Sequence, residues 1–426
     1  MKEVATSVST ETEPILRTLT ASERWFMFVD RNRPFHFSLT AEITGRTTPA
    51  MWREALDQLQ DRHPLLRVCV EQNDDSLASF RQIKARRIPL TVFRRTAPMQ
   101  WLQESQRQIS QRFNPSVGPL LRAFLWQGDD QCDITLWAYH AIADGMAMAF
   151  LIRDLLAALA GRMLPPLPVP LSQEARFALL EEPPPPATPE TPVADEVPSP
   201  REWKARYQPA DCGLTIDAVR LTRQQTTDLV DAARHHGTTV HAAILAAVVL
   251  AGRSSCPQWQ EGGVRVSSPI SLRRILAIDD DCVVAQTAGV IFLNPTPDTQ
   301  LWDLARTGKQ LIRPWDEQRR IAAVLDFFKE ATSDFDAFSK EAEGGGCDLL
   351  LTNLGRMPYA NRFGDLTIEA IWGPMVNQGY EGEQVVGVTT VNGVLCLTHT
   401  TDRPIESLLE NSVALLMNAC GMPVRV

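Results

Sequence analysis

From about Leu164 to Pro200 the chain is crowded with proline, including the run Pro183-Pro184-Pro185-Pro186, and with acidic and small residues. Such a stretch buries too little apolar surface to offset the entropy lost on ordering, and it predicts a stiff, extended linker. Its place near the middle of 426 residues matters, because a chain of that length exceeds one hydrophobic core and suits two domains of about 200 residues each. The expected organisation is residues 1–163, a linker over 164–204, and residues 205–426.

Both parts alternate helix and strand patterns. In the first, Thr20-Ala21-Ser22-Glu23 has the form of a capping box opening a helix through Trp25 and Phe28. Phe35 to Ile43 alternates like a strand, and Pro49 to Asp61 has the apolar spacing of an amphipathic helix. Leu65 to Val70, Leu120 to Trp126 and Asp133 to Tyr139 read as strands, and Met146 to Leu159 as a strongly apolar helix. In the second, Thr222 to His236 is an amphipathic helix stopped by Gly237, and Thr239 to Leu250 is apolar enough to be buried. Strands are expected at Val264–Ile270, Ala288–Leu293, Asp348–Asn353, Leu366–Trp372, Val385–Val391 and Val394–Thr400. Asn392-Gly393 joins the last two as a hairpin turn, and Ile405 to Cys420 closes the chain as a helix. The fold class is therefore α/β, in two domains.

Composition narrows the functions. Hydrophobic residues at 44% and charged residues at 22% are ordinary for a soluble globular protein. The formal net charge of −9 argues against wrapping nucleic acid, whose affinity comes from phosphate neutralisation. The basic pairs Arg86-Arg87, Arg94-Arg95, Arg273-Arg274 and Arg319-Arg320 read as solvated surface. The eight cysteines are scattered singly without a C-x-x-C pair, so neither a zinc site nor a redox motif is suggested. Met1 to Pro14 lacks an apolar core for a signal peptide, and the longest apolar run, Ala242 to Ala251, is too short to span a bilayer. A reducing cytoplasm is the expected location.

The segment from Asp133 to Leu156 carries the chemistry. A strand delivers His140, a short loop follows, and a helix rich in small residues begins just after Gly145. An imidazole at a strand end can have its rotamer fixed by packing, and its pKa near neutrality makes it the commonest general base. Gly145 permits a backbone conformation or a close approach that a side chain would block. Asp144, four residues beyond His140, is placed to turn back and brace the loop.

These residues resemble the condensation-domain-like acyltransferase superfamily. It includes peptide-synthetase condensation domains, polyketide-associated acyltransferases of mycobacterial lipid assembly, wax ester synthases and alcohol acetyltransferases. The shared signature is H-x-x-x-D-G, often preceded by a second histidine whose place Tyr139 takes here. The likeness runs along nearly the whole chain. Glu23-Arg24-Trp25 is similar to the opening helix, and Arg62-His63-Pro64-Leu65-Leu66-Arg67 to the R-H-x-x-L-R segment. Gly237 to His241 resembles the start of the second domain's first helix, Ser268 to Arg273 its strand ending in arginine, and Thr352 to Arg356 its S-N-x-G segment.

The resemblance implies two chloramphenicol-acetyltransferase-like domains in a V, with His140 in a tunnel at their interface. It implies an O- or N-acyltransferase in which His140 is the general base for direct transfer from an acyl-CoA or acyl-carrier-protein thioester to an alcohol or amine. Asp144 would be ion-paired to an arginine, Arg273 first and Arg67 next, and turned away from substrate. Tyr139, Asn353, Gly355 and the backbone near Gly145 are candidates for the tunnel wall or the oxyanion donors. No cofactor and no metal are implied, and the family analogy suggests a monomer. Two other readings stay open: a non-catalytic module that recruits carrier proteins or enzymes, and the same fold performing another carrier-bound reaction.

Other signals point elsewhere. His235, His236 and His241 straddle a helix end without a carboxylate or cysteine at ligand spacing and read as dipole-favoured residues. His36 and His399 lie in strand patterns, and His63 is expected to be structural. Gly344-Gly345-Gly346-Cys347 lacks the G-x-x-x-x-G-K-[ST] pattern and reads as a loop, and without a G-x-S-x-G a serine acyl-enzyme has no support.

Overall fold

The computed structural model describes residues 13–72, 78–84, 86–180, 213–279, 282–313, 318–335 and 346–422. In the first half the elements are β1 (Ile15–Thr18), α1 (Ala21–Asn32), β2 (His36–Thr44), α2 (Pro49–Arg62), β3 (Val68–Gln72), β4 (Ala78–Gln82), β5 (Leu90–Arg94), α3 (Trp101–Gln108), β6 (Leu121–Gln127), β7 (Gln131–Tyr139), α4 (Gly145–Leu159) and α5 (Gln173–Phe177). The second half contributes β8 (Thr215–Arg220), α6 (Arg223–His235), α7 (Val240–Ser255), α8 (Pro257–Gln260), β9 (Val264–Ser271), β10 (Gln286–Leu293), α9 (Leu301–Ile312) and α10 (Gln318–Ser333). It ends with β11 (Leu349–Arg356), β12 (Arg362–Phe363), β13 (Leu366–Val376), β14 (Gln384–Val391), β15 (Val394–Thr401) and α11 (Leu408–Ala419).

Two mixed six-stranded sheets form the two lobes, in the orders β12-β13-β2-β7-β6-β5 and β10-β9-β11-β14-β15-β8, beside a small sheet β1-β4-β3. The first lobe is not built from the first half alone. β13 crosses over and pairs antiparallel with β2, setting Ile371 opposite Ala41 and Trp372 opposite Thr40. The sheets therefore interlock, and the sequence boundary at residue 204 does not separate them. Glu42 adds to the joint, accepting from Trp372 Nε1 at 2.9 Å and from Arg220 at 2.8 Å.

The alternation of β2 explains its central place. Phe37, Leu39, Ala41 and Ile43 lie in one core cluster, while Thr40 on the opposite face shares a 2.7 Å hydrogen bond with Thr135 of β7. Both faces are buried because helices cover one and the second lobe approaches the other. In the second lobe the apolar helix α7 packs between the sheet and α9 and α11, as its composition requires.

The expected linker is shorter at its N-terminal side. Residues 164–180 form a packed strap instead: Pro165 and Pro170 accept from Arg62 and Arg17, and Ser172 caps the short helix α5. Gln173 Oε1 accepts from Gln286 N and Glu174 Oε1 from Ser22 N, so the strap touches both lobes. Proline lacks a donor but keeps its carbonyl acceptor, which is the part used here. Residues 181–204, with the four-proline run, lie outside the described residues, as do Cys212, Gly344, Gly345 and the Arg319-Arg320 side chains. Leu65–Val70 also differs, since Pro64–Arg67 forms a 3₁₀ turn and the strand starts at Val68. Proline at the first position presets the backbone for that turn. Among the described residues no single helix is long and apolar enough to cross a membrane.

Candidate active site

β7 ends at Tyr139, a turn carries His140 to Ala143, and Asp144 caps α4. Asp144 Oδ1 accepts from Ala147 N at 2.7 Å, which satisfies one of the orphan amides of the helix start. The same oxygen accepts from Arg273 Nη2 at 3.0 Å, and Oδ2 accepts from Ala285 N at 2.9 Å. Asp144 is thus fully engaged in holding the motif turn against the second lobe. Arg273 is held in turn by the carbonyls of Asp279 and Val283, and its guanidinium lies 5.6 Å from the ring centre of Phe150 on α4. Arg67, the second candidate partner, instead stands 3.8 Å from Asp61 at the surface.

Gly145 is required by close approach. A β-carbon there would stand 2.6 Å from Leu354 Cδ2 and 3.5 Å from Pro374 Cγ, so α4 meets β11 and β13 where a side chain has no room. Asn353 and Gly355 shape the other side of that contact. Asn353 Oδ1 accepts from Gly355 N at 2.7 Å, and Gly355 takes a φ of 67°, a turn that presents Leu354 to Gly145. The side-chain oxygen of Asn353 is therefore committed to its own loop.

The His140 ring rests on an aromatic shelf. Phe26 of α1 stacks on it at 4.3 Å and 7°, Phe35 at 5.2 Å and 16°, and Phe37 of β2 sits at 4.6 Å, tilted by 40°. The residue is 8% exposed, and its Nδ1 makes no hydrogen bond among the described residues. Burial pushes the imidazole down to about 4, partly offset by its own carbonyl, the Asp144 charge and the Ala143 carbonyl. It is neutral at pH 7, the form that accepts a proton. Tyr139 goes elsewhere: its ring lies 6.2 Å from Phe113, its hydroxyl has no hydrogen-bond partner among the described residues, and burial raises that hydroxyl far above the usual range.

The sequence does not single out Phe26, Phe35 and Phe37, or the Ala285 amide. The alternation around His36 was the available signal, since it sets Phe35 and Phe37 on one face. His36 faces the other way, with Nε2 3.1 Å from Gln108 O. His63 pairs with Asp154 at 2.9 Å beside Arg62, and His241 lies 3.2 Å from Ser268 Oγ. Among the described residues no three His, Cys, Asp or Glu side chains gather as metal ligands.

Two family models match the chain in succession. The condensation domain matches residues 24–173, and the phthiocerol/phthiodiolone dimycocerosyl transferase C-terminus matches residues 213–386. The chain belongs to the condensation-domain acyltransferase superfamily. Its fold is shared with polyketide synthase associated protein 5 from Mycobacterium tuberculosis at a TM-score of 0.68 and 21% identity, over 96% of this chain and 98% of that one. TRI3 trichothecene 15-O-acetyltransferase from Fusarium sporotrichioides superposes at 0.68 and 15% identity, over 95% and 94%. The first condensation domain of the CDA synthetase does so at 0.67 and 15%, over 96% and 98%. At these identities the superfamily likeness carries the fold and not a substrate. No curated protein sequence matches the chain.

Proposed function

We propose that the chain is an O- or N-acyltransferase that moves an acyl group from a CoA or carrier-protein thioester to a hydroxyl or amine. The observation that carries this reading is a neutral imidazole, His140, locked on an aromatic shelf at the junction of the two lobes. In the proposed reaction the acceptor oxygen or nitrogen attacks the thioester carbonyl while the imidazole takes its proton. The tetrahedral adduct collapses, the C–S bond breaks, and the imidazolium returns the proton to the departing thiolate. The developing oxyanion needs donors already in place, and the amides of the first turn of α4 near Gly145 are the candidates. One positioned base supplies about 10²–10⁴-fold, so holding the two substrates together supplies much of the rest. Asp144 and Arg273 have the supporting role of fixing the turn.

The near-closure of His140 supports one second reading, a non-catalytic module that binds carrier proteins through the same fold. Thiol release from a panel of acyl-CoAs separates the two. Wild type and His140→Ala are incubated with and without simple alcohols and amines. Acceptor-stimulated release that disappears in a folded His140→Ala supports acyl transfer. Release that is absent with CoA and carrier-protein donors alike, together with retained carrier-protein binding, establishes the recruiting module.

A further inference from the structure

The shelf under His140 comes from two elements, Phe26 from α1 and the pair Phe35 and Phe37 from the chain entering β2. Phe37 is fixed by the sheet, where it stands opposite Ala138 of β7. Phe35 lies one residue before β2 and has no place in that ladder. Pro34 precedes it, and a residue before proline is driven out of the helical region. Arg33 is accordingly extended, at φ −151° and ψ 146°, and α1 stops there. The buried Phe35 amide then needs an acceptor from outside the sheet.

Asp30 supplies it. Its Oδ1 accepts from Phe35 N at 2.8 Å in a buried hydrogen bond. A carboxylate makes a stronger acceptor than a neutral oxygen, so the link is a firm one. Asp30 stands four residues after Phe26, on the same face of α1. The helix face that lays one ring on the imidazole therefore also holds the backbone that carries the next. The Phe26 and Phe35 rings lie 5.7 Å apart at 21°, and the Phe35 ring lies 5.2 Å from His140 at 16°. Arg112 donates to the Asp30 carbonyl and ties down the end of α1, and its charge favours a carboxylate that burial disfavours.

We propose that Asp30 is a positioning residue: through the Phe35 amide it fixes the Phe35 ring against His140, and so keeps the imidazole oriented and out of water. The role in catalysis rests on the acyl-transfer reading, in which His140 is the base. The charged and titratable groups around this corner are Asp30, Arg31, Arg112 and Tyr139, and the imidazole itself feels the Asp144 charge. Removing the Asp30 charge by itself disfavours a protonated imidazole, whereas admitting water favours one. The two effects have opposite signs, which separates a charge role from a positioning role.

The test is the titration of His140 by NMR in protein carrying isotope-labelled histidine, with the signal assigned by its loss in His140→Ala. Burial puts the wild-type ring at about 4, so it is expected to stay neutral down to about pH 5. Asp30→Ala is expected to raise that titration by about one pH unit and to lower kcat about tenfold with KM little changed. Asp30→Asn, which keeps an acceptor without the charge, is expected to restore both to near the wild-type values. An unmoved titration in a folded Asp30→Ala, or an equal rise in Asp30→Asn, overturns the proposal. If Asp30→Ala does not fold, Asp30→Glu decides, since it keeps the charge and displaces the acceptor by one methylene. It is expected to raise the titration by less, and no rise there overturns the proposal likewise. The titration needs no turnover. A rise in Asp30→Ala beside absent thiol release in wild type keeps the Asp30 link and removes the acyl-transfer reading, while turnover with an unmoved titration does the reverse.

Discussion

Asp144 and Arg273 lie 129 residues apart and meet in a buried ion pair, with Arg273 Nη2 donating to Asp144 Oδ1 at 3.0 Å. The pair joins the motif turn of one lobe to the segment after β9 in the other. It also explains why an acidic residue four positions after the candidate base leaves that base neutral, since the charge of Asp144 is spent on Arg273 and two backbone amides. Removing one partner leaves the other charge buried and unmatched, which costs roughly 3–5 kcal/mol. Asp144→Ala is therefore expected to unfold at markedly lower temperature and denaturant concentration, and to lose activity with the loss of the turn. A thermally normal Asp144→Ala would show that the pair does not carry the lobe junction.

Gly145→Ala tests the contact between α4 and β11. The new methyl group would meet Leu354 Cδ2, and overpacking of this kind costs about 1–3 kcal/mol. Because the clash is with a side-chain end, Leu354→Ala is expected to relieve part of it. The double variant should be more stable than the sum of the two single effects predicts, and a thermodynamic cycle from denaturant unfolding measures the coupling. Strict additivity would assign the glycine another role.

Most of the fold is legible in the sequence because its patterns are local. The capping box at Thr20 and Glu23, the strand alternation of β2 and the Asn392-Gly393 hairpin all form where their residues point. The crossover of β13 into the first sheet is not legible, since Leu366–Val376 carries the same apolar pattern whichever sheet it joins. The strap at residues 164–180 was hidden for a similar reason: composition counts prolines but not the acceptors their carbonyls supply. At the candidate site, His140 and Asp144 stand out because their spacing is short. Phe26 does not, because an aromatic in an amphipathic helix has ordinary uses until tertiary structure brings it a partner.

Acid sensitivity follows from three buried histidines, His36, His140 and His399, and the half-buried His241. Burial lowers His36 to about 3 and His140, His241 and His399 to about 4. Between these values and about 6.5 the unfolded chain binds protons that the folded chain refuses, so stability rises with pH across that window. Their contribution is complete above about 6.5 and is lost as pH falls toward 4. Glu383 and Asp133 act with the opposite sign, raised by burial to about 7 and about 6, so their contribution is fullest in acid and fades as pH rises through those values. Burial also raises Asp30 and Asp217, but the large shifts are four imidazoles against two carboxyls, and the melting temperature is expected to fall steadily from about pH 6.5 to about 4.5. A flat or rising profile over that range would mean that these imidazoles are hydrated in solution.

The aromatic shelf makes a separate prediction about activity. Phe26 covers one face of the imidazole at 4.3 Å and helps keep water from it. Burial is the main reason His140 stands at about 4, so the acid limb of kcat/KM in the wild-type protein is expected well below the 6.5 of a free imidazole. Phe26→Ala admits water, which lets the charged form be solvated and moves that limb upward toward 6.5. It also frees the ring, so the pH-independent rate is expected to fall about tenfold or more through lost orientation. Truncating a buried phenylalanine costs about 3–5 kcal/mol in its own right, so the measurement that discriminates is the pH profile, taken at a temperature where the variant is fully folded. An unchanged acid limb in a folded Phe26→Ala would show that the shelf packs the imidazole without setting its protonation.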